Sequence, residues 1–119
     1  MRFNKYGAKK TEIDGQIFDS KLEANFYQNY LSLLAKAEGW TIDRQVRYTC
    51  AVNGIHICDY IADFVTIDKE GIKTIWECKG MWIGDAKMKL RLVQALYGFD
   101  IMVVKSLKDI EKLKGYRKR

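Results

Sequence analysis

Three side chains between Tyr60 and Gly80 have the types and spacing for hydrolytic chemistry: Asp63, Glu77 and Lys79. The stretch reads as two strands joined by a turn at Asp68-Lys69-Glu70-Gly71. Alternate side chains of a strand share a face, so Glu77 and Lys79 project together while Cys78 points away. With Asp63 beside them on the neighbouring strand, two carboxylates and an ammonium occupy one patch. Oxygen ligands of this kind suit a hard divalent cation and a bound water, which phosphodiester hydrolysis requires. The expected chemistry is metal-dependent cleavage of a nucleic-acid backbone.

Context selects these residues, because the string acidic-x-Lys also occurs at Asp19-Ser20-Lys21 and Asp85-Ala86-Lys87. Both of those fall at helix starts, where aspartate is an ordinary cap. Only Glu77-Cys78-Lys79 ends a strand that follows a strand with an interior aspartate. Asp63 lies among Tyr60, Ile61, Ala62, Phe64 and Val65, so a carboxylate there needs a partner, and a cation serves. Asp59 is the rival, and Asp63 is preferred because it sits deeper in the apolar run. Glu23 has two readings. It completes a capping box with Ser20, or it lies one turn into a helix that brings a third carboxylate to the metal.

Lys87, Arg91 and Gln94 recur at i, i+4 and i+7 and form a polar stripe just after the site. The stripe reads as a phosphate track, although a solvated helix face has the same pattern, and Lys89 alone reads as such a face. Trp82 either stacks on a base or packs under the sheet edge. Lys9, Lys10 and Lys21 add positive charge upstream.

The elements that must position these residues follow from turn and cap signals. Residues 9–18 read as a hairpin around Asp14-Gly15. Asp19 or Ser20 starts a helix with Leu22, Phe26, Tyr30, Leu33, Leu34 and Ala37 inward, stopped at Gly39. A strand from Trp40 to Thr49, the Asn53-Gly54 turn, a strand from Ile55 to about Ile67 and a third over 72–79 make a meander. Asp85 caps a second helix, with Met88, Leu92, Ala95 and Leu96 inward and Gly98 ending it. Phe99–Val104 is a strand expected parallel to 72–79 through a right-handed crossover. Ser106 caps a last helix with Leu107, Ile110 and Leu113 inward, and Gly115 releases a basic tail.

At 119 residues the chain is expected to be one domain, 1–119, with its core over 6–104 and a C-terminal helix and tail over 106–119. A composition of 48% hydrophobic and 30% charged residues is that of a soluble globular protein. The net charge of +6 favours a polyanionic partner. Arg2, Lys5, Lys9 and Lys10 cluster at the start, and Arg117, Lys118 and Arg119 at the end. No apolar run approaches the roughly 18 residues a bilayer requires. With no signal-like segment and three cysteines, the expected location is the cytoplasm, without membrane partners. Cys50, His56 and Cys58 lack a C-x-x-C pair, so structural zinc is not expected.

Phe18-Asp19-Ser20-Lys21-Leu22-Glu23, Tyr60-Ile61-Ala62-Asp63-Phe64 and Glu77-Cys78-Lys79-Gly80 together resemble the PD-(D/E)-x-K nuclease superfamily. The likeness runs from about Tyr6 to Val104 and is nearest to small phage and prophage endonucleases related to phage-type Holliday-junction resolvases. It implies an α/β fold with a restriction-endonuclease-like core, α-β-β-β-α-β, here with an N-terminal hairpin and a C-terminal helix. It implies that Asp63, Glu77, Glu23 and the backbone carbonyl of Cys78 hold Mg²⁺ or Mn²⁺, while Lys79 orients the attacking water. The product would carry a 5′-phosphate and a 3′-hydroxyl. Branched DNA in phage or prophage metabolism, a homodimer and the host cytoplasm are further implications. Ala62 stands where the superfamily pattern writes proline, a position that holds no metal. The competing expectations are a DNA-binding module that keeps the fold without turnover, and a cleavage subunit of a larger recombination or packaging complex.

Overall fold

The computed structural model describes residues 10–13 and 15–117, the last three by backbone alone. Strands β1 (Thr11–Ile13) and β2 (Gln16–Phe18) pair antiparallel as the expected hairpin. Asp14 of its turn lies outside the described residues, as do Lys9, most of the N-terminal basic cluster and the last two residues of the tail. Ser20 caps α1 (Lys21–Phe26), its Oγ accepting the Glu23 N–H at 3.1 Å. A π-helical turn (Tyr27–Leu31) continues directly into α2 (Ser32–Glu38), which ends on Gly39 at φ 74°. Glycine takes that left-handed conformation without the Cβ penalty.

The π turn corrects the expected helix face. It inserts one residue into the helical repeat and shifts the inward stripe by one position. Beyond it Leu31, Leu34 and Ala35 are buried, while Leu33 is 58% exposed and Ala37 faces solvent.

Strands β3 (Thr41–Val52), β4 (Ile55–Ile67) and β5 (Lys73–Cys78) form the meander, and β6 (Asp100–Val104) joins parallel to β5. The order is β3-β4-β5-β6. Asn53 and Gly54, at φ 53° and 77°, make the tight turn that the asparagine–glycine pair favours. The fold is therefore mixed α/β, a four-stranded mixed sheet with helices on both faces. On one face Phe26 of α1, Leu31, Leu34 and Ile110 of α4 (Leu107–Arg117) pack with Phe64, Trp76 and Cys78. On the other, Leu90 and Val93 of α3 (Ala86–Tyr97) pack with Ala62, Val65 and Ile75.

Four local expectations are corrected. In α3 Leu90 and Val93 are buried and the expected Leu92 packs half-buried against the same core, whereas Met88 is 72% exposed and Ala95 and Leu96 also face solvent. Asp85 precedes α3 but makes no side-chain cap, its carboxylate lying 3.6 Å from Lys89 Nζ instead. In α4, Leu107 is exposed, while Ser106 does precede the helix, its carbonyl accepting the Asp109 N–H at 3.1 Å and the Asp109 carboxylate accepting the Lys105 N–H at 2.7 Å. That helix also runs past Gly115 to Arg117.

β3 and β4 change faces part-way along. Ile42 and Phe64 pack on the α1 side, whereas Val46, Tyr48, Tyr60 and Ala62 pack on the α3 side, although all are even-numbered. A strand of period two cannot do this without a break. The break lies between the pairs Arg44↔Phe64 and Val46↔Ala62, where Gln45 sits opposite Asp63 at φ 52°.

Candidate active site

Asp63 is set by this break and by the end of the β4–β5 ladder. The last recorded pair is Phe64↔Trp76, so continuing the register brings Asp63 opposite Glu77. There the Cys78 N–H bonds the Asp63 carboxylate, Oδ2 accepting at 2.9 Å, in place of a backbone acceptor. Cys78 turns its side chain into the α1-side core, as alternation predicted. Lys79 lies just beyond β5, tied to β6 through its N–H to the Val104 carbonyl at 3.0 Å.

Glu23 enters from α1 and is buried, with 3% of its surface exposed. Of the expected capping box only the Ser20 half forms. The Glu23 carboxylate accepts instead from Gln45 Nε2 at 3.0 Å, with Arg44 Nη2 at 4.0 Å. Arg44 stands over the Phe18 ring at 4.0 Å and bonds Gln16 and the Ile17 carbonyl, pinning the hairpin beside the site.

Glu77 is equally buried. Its Oε2 accepts from the Tyr60 hydroxyl, and its Oε1 lies 3.9 Å from Lys79 Nζ. The electrostatics follow from gathering carboxyls out of water. Burial, then the neighbouring Asp63, pushes Glu77 up to about 8, against the lowering effects of Tyr60 and Lys79. Burial, then Asp63 and Asp19, pushes Glu23 up to about 7, with Arg44 opposing. Burial also raises Asp63, opposed by the Cys78 N–H, Lys79 and a hydrogen bond with Glu77. Asp63 and Glu77 thus face each other as neighbouring acids, and the charge on one disfavours ionisation of the other.

The group opens on two hollows. A cavity of about 570 Å³ is lined by Glu23, Asp63, Cys78, Lys79 and Met81. A second, about 240 Å³, is lined by Tyr60, Glu77, Lys79, Trp82, Lys89 and neighbours. Lys79 borders both.

Sequence reasoning brought together Glu23, Asp63, Glu77 and Lys79, and the structure gathers all four. Asp59, the rival to Asp63, instead takes part in a surface cluster with Arg47 and His56, at 2.8 and 2.9 Å. His56 and Arg47 hold its carboxyl below the usual range. The basic residues divide. Lys10 pairs with Asp19 at 2.9 Å, and Lys21 is exposed at the start of α1. Lys87, Arg91 and Gln94 lie on the solvent side of α3, while Lys89, read as the ordinary surface residue, borders the cavity with Glu77. The phase of α3, set by Leu90 and Val93, turns Lys89 toward the sheet.

Two partners of the site were not anticipated. Tyr60 gave one usable signal, since a buried tyrosine hydroxyl requires a hydrogen-bond partner. Gln45 gave none, because its contact depends on a backbone break that strand periodicity cannot show.

The donors fit a hard cation in type. Among the described residues no three His, Cys, Asp or Glu side chains form a ready-made metal cage. Mg²⁺ does not need one, since it keeps several waters and is held by one or two carboxylates. Half-buried Asp63 and buried Glu77 side by side concentrate negative charge that a divalent cation would neutralise.

No helix among the described residues is long and apolar enough to cross a membrane. No curated protein and no solved structure matches the chain. A family model described as "Protein of unknown function (DUF1064)" matches residues 3–111, a span that contains Glu23, Asp63, Glu77 and Lys79. The chain belongs to the DUF1064 family.

Proposed function

We propose that this protein is a metal-dependent endodeoxyribonuclease with a restriction-endonuclease-like core, acting on DNA with Mg²⁺ or Mn²⁺ as cofactor. One observation carries the reading: buried Glu23, half-buried Asp63 and buried Glu77, from α1, β4 and β5, converge beside Lys79, and burial followed by neighbouring carboxylates raises Glu23 and Glu77. A structural core has little reason to gather three carboxyls around one lysine at an open cavity, whereas a cation site does.

Asp63 and Glu77 hold the metal, helped by the Cys78 carbonyl. When bound, the metal supplies Lewis-acid polarisation of the phosphoryl oxygens and a more acidic water. Lys79 faces both cavities, orients the attacking water and neutralises charge developing on the phosphate. Glu23 completes the acidic wall and is positioned to accept the water's proton, its oxygen steered by Gln45. Water oxygen bonds to phosphorus, the P–O3′ bond breaks, and O3′ takes up a proton. The products are a 5′-phosphate and a 3′-hydroxyl. The net charge of +6 favours the DNA backbone, and binding should weaken steeply with salt. Cutting both strands from one site per chain favours a homodimer.

The test incubates purified protein with branched, nicked and linear duplex DNA, with Mg²⁺, Mn²⁺ or EDTA. Cleavage is expected only with metal. Asp63→Asn and Glu77→Gln should abolish cutting while leaving DNA binding equal or tighter, because negative charge near phosphate is lost. Variants that cut like the parent would sink this site assignment, and a parent that binds DNA but never cuts would leave a non-catalytic binding module.

A further inference from the structure

We infer that the smaller cavity receives a single unstacked nucleobase next to the phosphate at Lys79, making DNA with unpaired nucleotides the preferred substrate over uniform duplex. This inference rests on the nuclease reading above and narrows its substrate class.

Lys79 forms a wall of both cavities, so a phosphate held there has its flanking nucleotide at the entrance to the second. At about 240 Å³ that hollow falls below the roughly 300–1,000 Å³ typical of drug-sized ligands, so one ring system is its natural load. Its lining includes buried Tyr60 and half-buried Trp82, the latter also packed against the α3-side core, with Ile61 and Ala86. Aromatic faces of this kind stack on any base.

The charges argue against a second phosphate. Asp59, Glu77 and Asp85 border the hollow against two lysines, Lys79 and Lys89. Each acid is already engaged: Asp59 with Arg47 and His56, Glu77 with Tyr60, and Asp85 with Lys89. Such a lining suits a flat, neutral group with N–H donors and carbonyl acceptors at its edge. In a duplex the base must first be unpaired and unstacked, a cost already met at a branch, flap or single-stranded junction.

The experiment uses 2-aminopurine as the probe, placed at the unpaired nucleotide of a flap or, separately, inside a matched linear duplex. Parent protein in EDTA should quench the flap probe and leave the duplex probe unchanged. Trp82→Ala should lose that quench and weaken flap binding on the order of ten-fold, with duplex binding unaltered. Trp82→Phe, which keeps a ring, should retain most of both and so controls for folding. An unchanged quench in Trp82→Ala, or equal loss of flap and duplex binding, overturns the inference. A parent that cuts linear duplex as fast as the flap without perturbing the probe also overturns it, and leaves the nuclease reading standing. A parent that binds and cuts no DNA brings down both.

Discussion

Gln45 sits opposite Asp63 in the β3–β4 register, at φ 52°, and its amide donates to Glu23 at 3.0 Å. One residue therefore breaks the strand and ties β3 to the acid that arrives from α1. A non-glycine residue in this region is strained by roughly 1–3 kcal/mol, and such strain persists where surrounding contacts determine it. Gln45→Ala should cost about 1–3 kcal/mol, because buried Glu23 loses a donor while the strain remains. Gln45→Gly loses the same bond but relaxes the backbone, and should be about 1 kcal/mol more stable than Gln45→Ala. Urea unfolding of the three proteins measures the ranking. Equal stability of the two variants would remove the case for strain.

The raised acids make stability depend on pH in a defined direction. Glu23 and Glu77 move from an ordinary 4.5 to about 7 and 8 in the folded protein. Between those limits the folded state binds more protons than the unfolded state, so stability falls as pH rises. The contribution is complete below about pH 4.5 and gone above about 8. Metal-free protein should lose melting temperature steadily from pH 5 to 8.5, and Glu77→Gln should flatten that slope. Mg²⁺ or Mn²⁺ should restore most of the loss, with a gain that grows with pH because metal and protons compete for the same oxygens. A metal-free melting temperature that rises over this range would contradict the proposed charge state.

Tyr60 opposes the rise that burial and Asp63 impose on Glu77. A hydrogen bond donated to a carboxylate favours its charged form, and Tyr60 is among the groups lowering Glu77. Tyr60→Phe should therefore raise the Glu77 pKa. The lower limb of the pH–rate profile, and of Mn²⁺ affinity measured by calorimetry, should shift toward higher pH. At a pH well above the shifted limb the variant should recover most of the parental rate. An unshifted profile with a uniformly lower rate would make Tyr60 a packing residue.

Much of this arrangement is legible in residue order because it depends on local signals. Asn53-Gly54, Gly39 and the Ser20 cap mark real boundaries. The interior Asp63 is visible as a charge inside an apolar run. What is hidden depends on phase. In β4 the apolar residues are nearly continuous, so nothing shows that Tyr60 and Phe64 pack on opposite sides. In α3 apolar residues at Met88, Leu90, Leu92, Val93 and Leu96 spread around the helix, and only tertiary contact selects Leu90, Val93 and, in part, Leu92. The same phase turns Lys89 toward the cavity that Glu77 borders.

Phase can be tested most sharply at the π turn. Regular helical spacing from Phe26 and Tyr30 carries the inward face to Leu33 and Ala37. The extra residue of Tyr27–Leu31 carries it to Leu31, Leu34 and Ala35. Leu31 is fully buried and Leu33 is 58% exposed, so the same truncation at these two positions should differ greatly. Leu31→Ala should cost about 2–5 kcal/mol through lost burial and a cavity beneath the sheet. Leu33→Ala, at an exposed helical site, should stay within about 0.5 kcal/mol. Deleting exposed Gln28 would restore the regular repeat with Leu31, Leu34 and Ala35 at i+4, i+7 and i+8 from Phe26, so it should cost less than Leu31→Ala. Leu33→Ala costing as much as Leu31→Ala would remove the case for an extra residue in the turn.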